Sequence, residues 1–208
     1  MKNKITLLSG GLLCLTLMIA HGQTATTSAT VKGTPYIDEA YVDGVIYYAD
    51  KTHAAPIRYN AYQDLIEYQQ NGKALVLDPN LLIKKVQVGD AAFVPLKYQA
   101  EGKSKVGYFA VLDSGKITLL SKKTIVFSAA QKGRAMDGGD LPAQYKTSPD
   151  AFYYKIGDGE LQEVTSIKAM IAAFPDKQEE LTTFAKKEKI SPRKEKEMIE
   201  LVKYYNSL

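Results

Sequence analysis

The sequence predicts an α+β fold: an antiparallel β-meander of about nine strands, barrel-like or sandwich, followed by three C-terminal α-helices. Three observations predict it. Residues 57–70 and 73–77 read as strand-like runs separated by Asn71-Gly72. Asn-Gly is the strongest short hairpin signal, because a type I′ turn needs φ > 0 at both central residues. Further short apolar runs, bounded by Gly, Pro, Asn or Asp, recur as far as residue 164. From residue 165 the apolar spacing changes to i, i+3, i+4, i+7, the period of a helix. Strands first and helices after them is the α+β order.

Residues 1–22 read as a cleavable export signal. Lys2 and Lys4 precede an apolar run over 5–20, and Ala20 and Gly22 take the −3 and −1 positions of a cleavage before Gln23. Ser9, Gly10, Gly11 and Thr16 interrupt the run, which is also short for a membrane-spanning helix of about 20 apolar residues. Leu13 precedes Cys14 where lipidation wants a small side chain, so no lipid anchor is expected there. Residues 23–34 are rich in Thr, Ala and Ser without a period and read as a flexible leader. Residues 35–208 are expected to form a single α+β domain, β-rich over 35–164 and helical over 165–208.

Structure is predicted to begin near Pro35-Tyr36. A strand follows over 41–48, where Gly44 marks a bulge or a close backbone approach. Residues 50–56 read as a loop before the hairpin at 57–77. Asp78-Pro79-Asn80 is a turn, since Pro pre-sets φ. Over 82–88 the alternation places Leu82, Lys84, Val86 and Val88 on one face. Pro95 inside 92–98 predicts an edge strand or a bulged one. The runs 106–112, 117–120 and 124–127 are apolar on both faces, so they are predicted to be central. Residues 131–150 hold Gly133, Gly138, Gly139, Pro142 and Pro149 and read as a long loop, functional or disordered. Gly157-Asp158-Gly159 joins 152–156 to 160–164 as one more hairpin. Ile167, Met170, Ile171 and Phe174 form the first helical stripe, capped by Thr165-Ser166 and ended by Pro175. Asp176 with Glu179 resembles a capping box for a second helix that buries Leu181, Phe184 and Ala185. Ser191-Pro192 is predicted to open a third helix with Met198, Leu201, Val202 and Tyr205 inward.

The residue types narrow the chemistry. Removing the signal leaves 25 basic against 23 acidic side chains, too balanced for a nucleic-acid binder. It also removes the single cysteine and one of two histidines. Disulfides, thiol catalysis and multi-histidine metal sites are then excluded. His53, in the predicted loop, reads as solvated rather than as a catalytic base. Asp137-Gly138-Gly139-Asp140 lacks the alternating oxygen ligands of a calcium loop, so glycine and aspartate there read as turn formers. Asp64 and Glu67, three apart on a strand, point to opposite faces and make no glycosidase pair by themselves. No phosphate-binding glycine loop and no nucleophile elbow occurs. The lysines of 186–196 read as a solvated helix face. Neither a cofactor nor a metal is expected, and no transmembrane helix after signal cleavage. The 14 tyrosines, against 6 Phe and no Trp, suit half-buried sheet faces, with an aromatic surface for a sugar, a peptide or a protein as the alternative.

The export signal ending Ala20-His21-Gly22-Gln23, the stretch from Ile57 through Asn60-Ala61-Tyr62 to Tyr68, and the ending Tyr204-Tyr205-Asn206-Ser207-Leu208 together resemble an uncharacterised exported protein family of Bacteroidota. The resemblance implies a periplasmic, outer-membrane-associated or secreted location and supplies no catalytic residues. The expectation is an exported, non-enzymatic binding or structural module of the cell envelope. Its surface would include Tyr59, Tyr62, Tyr68, Asp137 and Asp140, and its partner would be a protein or a glycan. Two alternatives remain open at this point. One is a small-ligand carrier with a tyrosine-lined barrel cavity. The other is a glycan hydrolase with two carboxylates about 5 to 9.5 Å apart.

Overall fold

The computed structural model describes residues 31–80, 82–100, 102–133 and 139–208. The export signal, most of the leader and Asp137 lie outside them. Among the described residues there are twelve strands: β1 (Val42–Tyr48), β2 (Thr52–Asn60), β3 (Leu65–Gln70), β4 (Lys73–Leu77), β5 (Ile83–Val88), β6 (Ala91–Ala100), β7 (Lys103–Asp113), β8 (Ile117–Lys122), β9 (Ile125–Ser128), β10 (Gln144–Thr147), β11 (Ala151–Ile156) and β12 (Gln162–Glu163). Three helices follow, α1 (Ile167–Ala173), α2 (Gln178–Lys187) and α3 (Glu195–Ser207). The α+β order is as predicted.

Ten strands form one antiparallel sheet in the order β12-β11-β8-β7-β6-β5-β1-β2-β3-β4. The chain lays β1 to β4 outward from the middle, returns to place β5 against the free side of β1, and runs β5 to β8 outward the other way. The predicted meander is therefore two meanders back to back. The sheet curls into a half-barrel. Five strands separate β7 from β4 in the sheet order, yet the Tyr108 hydroxyl on β7 donates to the Leu77 carbonyl of β4 at 3.1 Å.

The buried face is set by register. Cross-strand partners share a face, and one row runs Ile46, Val86, Phe93, Ala110, Ser121, Phe152 across six strands. All six are buried. At the β1–β7 end this face is closed by the curl itself, with Ile57, Tyr59, Ile66 and Leu77 packed inward. At the β8–β11 end it is covered by the helices, through Met170, Phe174, Leu181, Leu201 and Tyr205. The concave face is filled with side chains.

Several local expectations hold. Asn71 and Gly72 have φ of 51° and 74°, the two positive values of a type I′ turn. A Cβ on Gly44 would collide with the Gln87 carbonyl oxygen of β5, which is the close backbone approach read from that glycine. Pro95 departs from its expectation: β6 is an interior strand without a register shift, and the proline is tolerated because the β5 ladder stops at Phe93. Ser166 caps α1, accepting from Ala169 N–H at 3.1 Å.

Others are corrected. Residues 52–56 belong to β2, and Pro56 is tolerated because the β3 ladder stops at Ile57. A register shift opposite Tyr47–Tyr48 sets Ile83 and Val86 inward together, leaving Leu82 80% exposed. The apolar run 124–127 is not central: β9 leaves the main sheet and pairs with β10, inside the segment read as a loop. Among the described residues pairing already includes Lys32, which bridges to Gln144 ahead of Pro35. Lys177, not Asp176, takes the N-cap position of α2 and makes no side-chain cap bond there, and the Asp176 carboxylate instead accepts from the Tyr205 hydroxyl at 2.8 Å. Ser191-Pro192 makes a turn, and α3 begins at Glu195.

Candidate binding surface

The β9–β10 hairpin stands on the turn between β2 and β3. Ile125 N–H donates to the Ala61 carbonyl at 3.2 Å, which brings Tyr62 of that turn beside Phe127 of β9. Tyr145 is the cross-strand partner of Phe127. The ring centroids are 5.0 Å apart for Phe127–Tyr145, 5.3 Å for Tyr62–Tyr145 and 6.4 Å for Tyr62–Phe127. These are the tilted and edge-on spacings that aromatic rings prefer. Tyr62 is 46% exposed and Phe127 41%. Leu141, on the same hairpin, is 55% exposed.

Backbone bonds fix this platform. Lys32 N–H donates to the Ala143 carbonyl at 2.9 Å, and Tyr145 N–H to the Lys32 carbonyl at 2.8 Å. Gly33 follows with φ of 75°, and a Cβ there would lie 2.8 Å from the Tyr145 carbonyl oxygen. Further out, Gln131 and Leu141 exchange backbone bonds of 2.9 and 2.8 Å. Asp140 is exposed and accepts from Gly133 N–H at 3.0 Å.

The structure divides the residues that the sequence proposed as one surface. Tyr62 joins the platform and Asp140 sits on the same hairpin. Tyr59 is interior, 2% exposed, between Phe93 and Tyr108, and is withdrawn from the surface. Its alternating position on β2 points it into the curl. Tyr68 is half-buried and meets His53 edge-on at 5.8 Å. His53 lies on β2 rather than in a loop, with Nε2 buried and unbonded among the described residues. Sequence reasoning missed Phe127 and Tyr145. A four-residue apolar run gives no sign that its strand will leave the sheet.

Two polar clusters lie beside the platform. Asp64 sits in the turn after β2, at φ 57°, not on a strand. Its Oδ1 accepts from the Tyr59 hydroxyl at 2.7 Å and from Tyr108 N–H at 3.2 Å, and its Oδ2 pairs with Lys122 Nζ. Lys122 also donates to the Tyr108 carbonyl at 3.0 Å and lies 4.8 Å from the Phe109 ring. Burial lowers the Lys122 pKa against the pull of Asp64. Burial first, then the Asp64 charge, raises the Tyr59 hydroxyl far above its usual value. Gly107 makes room, since a Cβ there would stand 2.6 Å from Lys122 Nζ.

In the second cluster Arg58 lies over Tyr36 at 3.7 Å and Tyr41 at 4.3 Å. It donates to Glu67 Oε2 through Nε at 2.9 Å and Nη2 at 2.7 Å. Burial pushes the Glu67 carboxyl up, but hydrogen bonds from Arg58 and Tyr36 outweigh it and hold the pKa below the usual range. The acids weighed for glycoside chemistry are thus each tied to a cation and to tyrosine. No cluster of three or more metal-ligating side chains occurs among the described residues. Among them no helix is long and apolar enough to cross a membrane. Comparison with models of known protein families, with curated proteins and with solved structures found no match to this chain.

Proposed function

We propose that this chain is an exported, non-enzymatic binding module of the cell envelope, and that it binds through the Tyr62–Phe127–Tyr145 platform. One observation carries the reading. Tyr62 and Phe127 stay more than 40% exposed in one tight cluster, where the β2–β3 turn meets a hairpin that leaves the main sheet and is anchored on the core through Ile125. Clustered exposed aromatics are a recurrent feature of recognition surfaces. The filled concave face supports binding at the surface rather than in a barrel cavity. The signal-like residues 1–22 support export, and the resemblance to exported Bacteroidota proteins agrees with it. The partner is a protein or a glycan presented in that compartment.

Photocrosslinking tests this. A benzoyl-phenylalanine at position 127 in exporting cells is expected to give a discrete adduct that Tyr62→Ala abolishes. The same probe at the exposed Lys84 of β5 is expected to give none. No adduct from 127, or the same adduct from both positions, overturns the proposal.

A further inference from the structure

A second site lies on the helical layer, away from the aromatic platform. Between α1 and α2 runs a groove of about 580 Å³, within the usual range of small-ligand sites, about 300–1,000 Å³. Its floor is aliphatic: Ile167 and Ile171 from α1, Ala185 from α2, and Ile190 just beyond it. Three lysines stand at its rim, Lys168, Lys186 and Lys189, and no acidic residue lines it. None of the three has a carboxylate partner among the described residues, whereas Lys177, Lys187 and Lys194 nearby each pair with a glutamate. The sequence reading of 186–196 as a solvated face does not account for this separation.

Lys189 adds a conformational observation. It lies just past the Glu188 C-cap of α2 with φ of 53°, and Ile190 N–H returns to the Ala185 carbonyl at 2.9 Å. This is the left-handed helix stop where glycine is preferred. The chain places a lysine there, at the groove.

We infer that this groove binds a single-chain anionic amphiphile, its acyl chain on the isoleucine floor and its anionic head among Lys168, Lys186 and Lys189. Charge complementarity selects the sign of the head group, and the aliphatic floor selects the tail. The recess between two helices suits one chain laid into it, where a lipid surface would call for a protruding apolar face.

Calorimetric titration of the purified protein with dodecanoate below its micellar concentration tests the inference. Saturable 1:1 binding is expected, with dodecyltrimethylammonium at least about tenfold weaker. Lys168→Gln/Lys186→Gln/Lys189→Gln is expected to weaken dodecanoate about tenfold, three exposed charge contacts being lost, with the melting temperature unchanged. Lys189→Gly separates binding from folding: affinity falls while the melting temperature holds or rises, since glycine relieves the left-handed position. Three results overturn the inference: no saturable binding, equal affinity for the cationic analogue, or triple-variant affinity equal to that of the unmodified protein. Sedimentation with phosphatidylglycerol vesicles without dodecanoate binding also overturns it, assigning the lysines to a membrane surface.

Discussion

Lys122 and Asp64 form an ion pair with little solvent on the lysine, whose side chain is 9% exposed against 24% for the aspartate. Removing one partner of such a pair strands the other, so Lys122→Met is expected to cost about 3 kcal/mol. Gly107→Ala should damage the same contact by displacing Lys122 Nζ and Tyr98 Cε1, which a Cβ would approach to 2.6 and 2.9 Å. The two losses are then expected to be less than additive in denaturant melts. Fully additive losses would show that Gly107 is kept for another reason. Glu67 gives a pH prediction. Its folded pKa is lowered, so its contribution is full above the unfolded value, about 4.3, and is lost as pH falls through the lower folded value. Glu67→Gln should flatten the decline of melting temperature below about pH 4.5, and an unaltered acid limb would contradict the Arg58 cluster. The role of Asp64 was hidden from the sequence. The cluster joins residues more than 40 positions apart, and nothing local marks Lys122 as the lysine that goes inside.

At the scale of elements, legibility followed how local the cause was. The Asn71-Gly72 turn is specified by its two residues, and its geometry was read correctly. Gly72→Ala should cost about 1 kcal/mol through backbone strain alone, because a Cβ there meets nothing within 4 Å. The apolar faces of the three helices were equally plain, since each is a repeat within one element. The corrected points depend on neighbours. Pro56 is allowed in β2 only because the β2–β3 pairing ends at Ile57, one residue short of it. Leu82 faces solvent only because a register shift turns the start of β5. Asn206, at the end of α3, shows the reverse case of an element fixed from afar. Its side chain accepts from Ile117 N–H at 2.9 Å and donates to Asp113 at 2.8 Å and to the Ile117 carbonyl at 3.0 Å. It thereby ties the helical layer to the β7–β8 turn. Asn206→Ala should cost about 3 kcal/mol, roughly a kcal/mol for each of the three bonds net of solvation, read as a shift in the urea midpoint.

For the molecule as a whole, the curl of the sheet and the helical layer consume the apolar side chains of one sheet face, and Tyr62 of the β2–β3 turn and Phe127 of the β9–β10 hairpin are left exposed. Tyr62 and Asp140 were named from sequence, and the structure sets them on the turn and hairpin that form this surface. Phe127 and Tyr145 were not, because their exposure is decided by β9 leaving the sheet, a tertiary choice. The central claim is that this hairpin serves recognition and the curled sheet serves folding. Its most direct test is one variant, Tyr62→Ala/Phe127→Ala, with two readouts: retention of the chain on washed envelopes and thermal melting of the purified chain. The account predicts retention reduced at least about tenfold, the scale of losing central aromatic contacts, with melting shifted by only about 2–4 °C. Unchanged retention, or a collapse of melting that accounts for the loss, would contradict it.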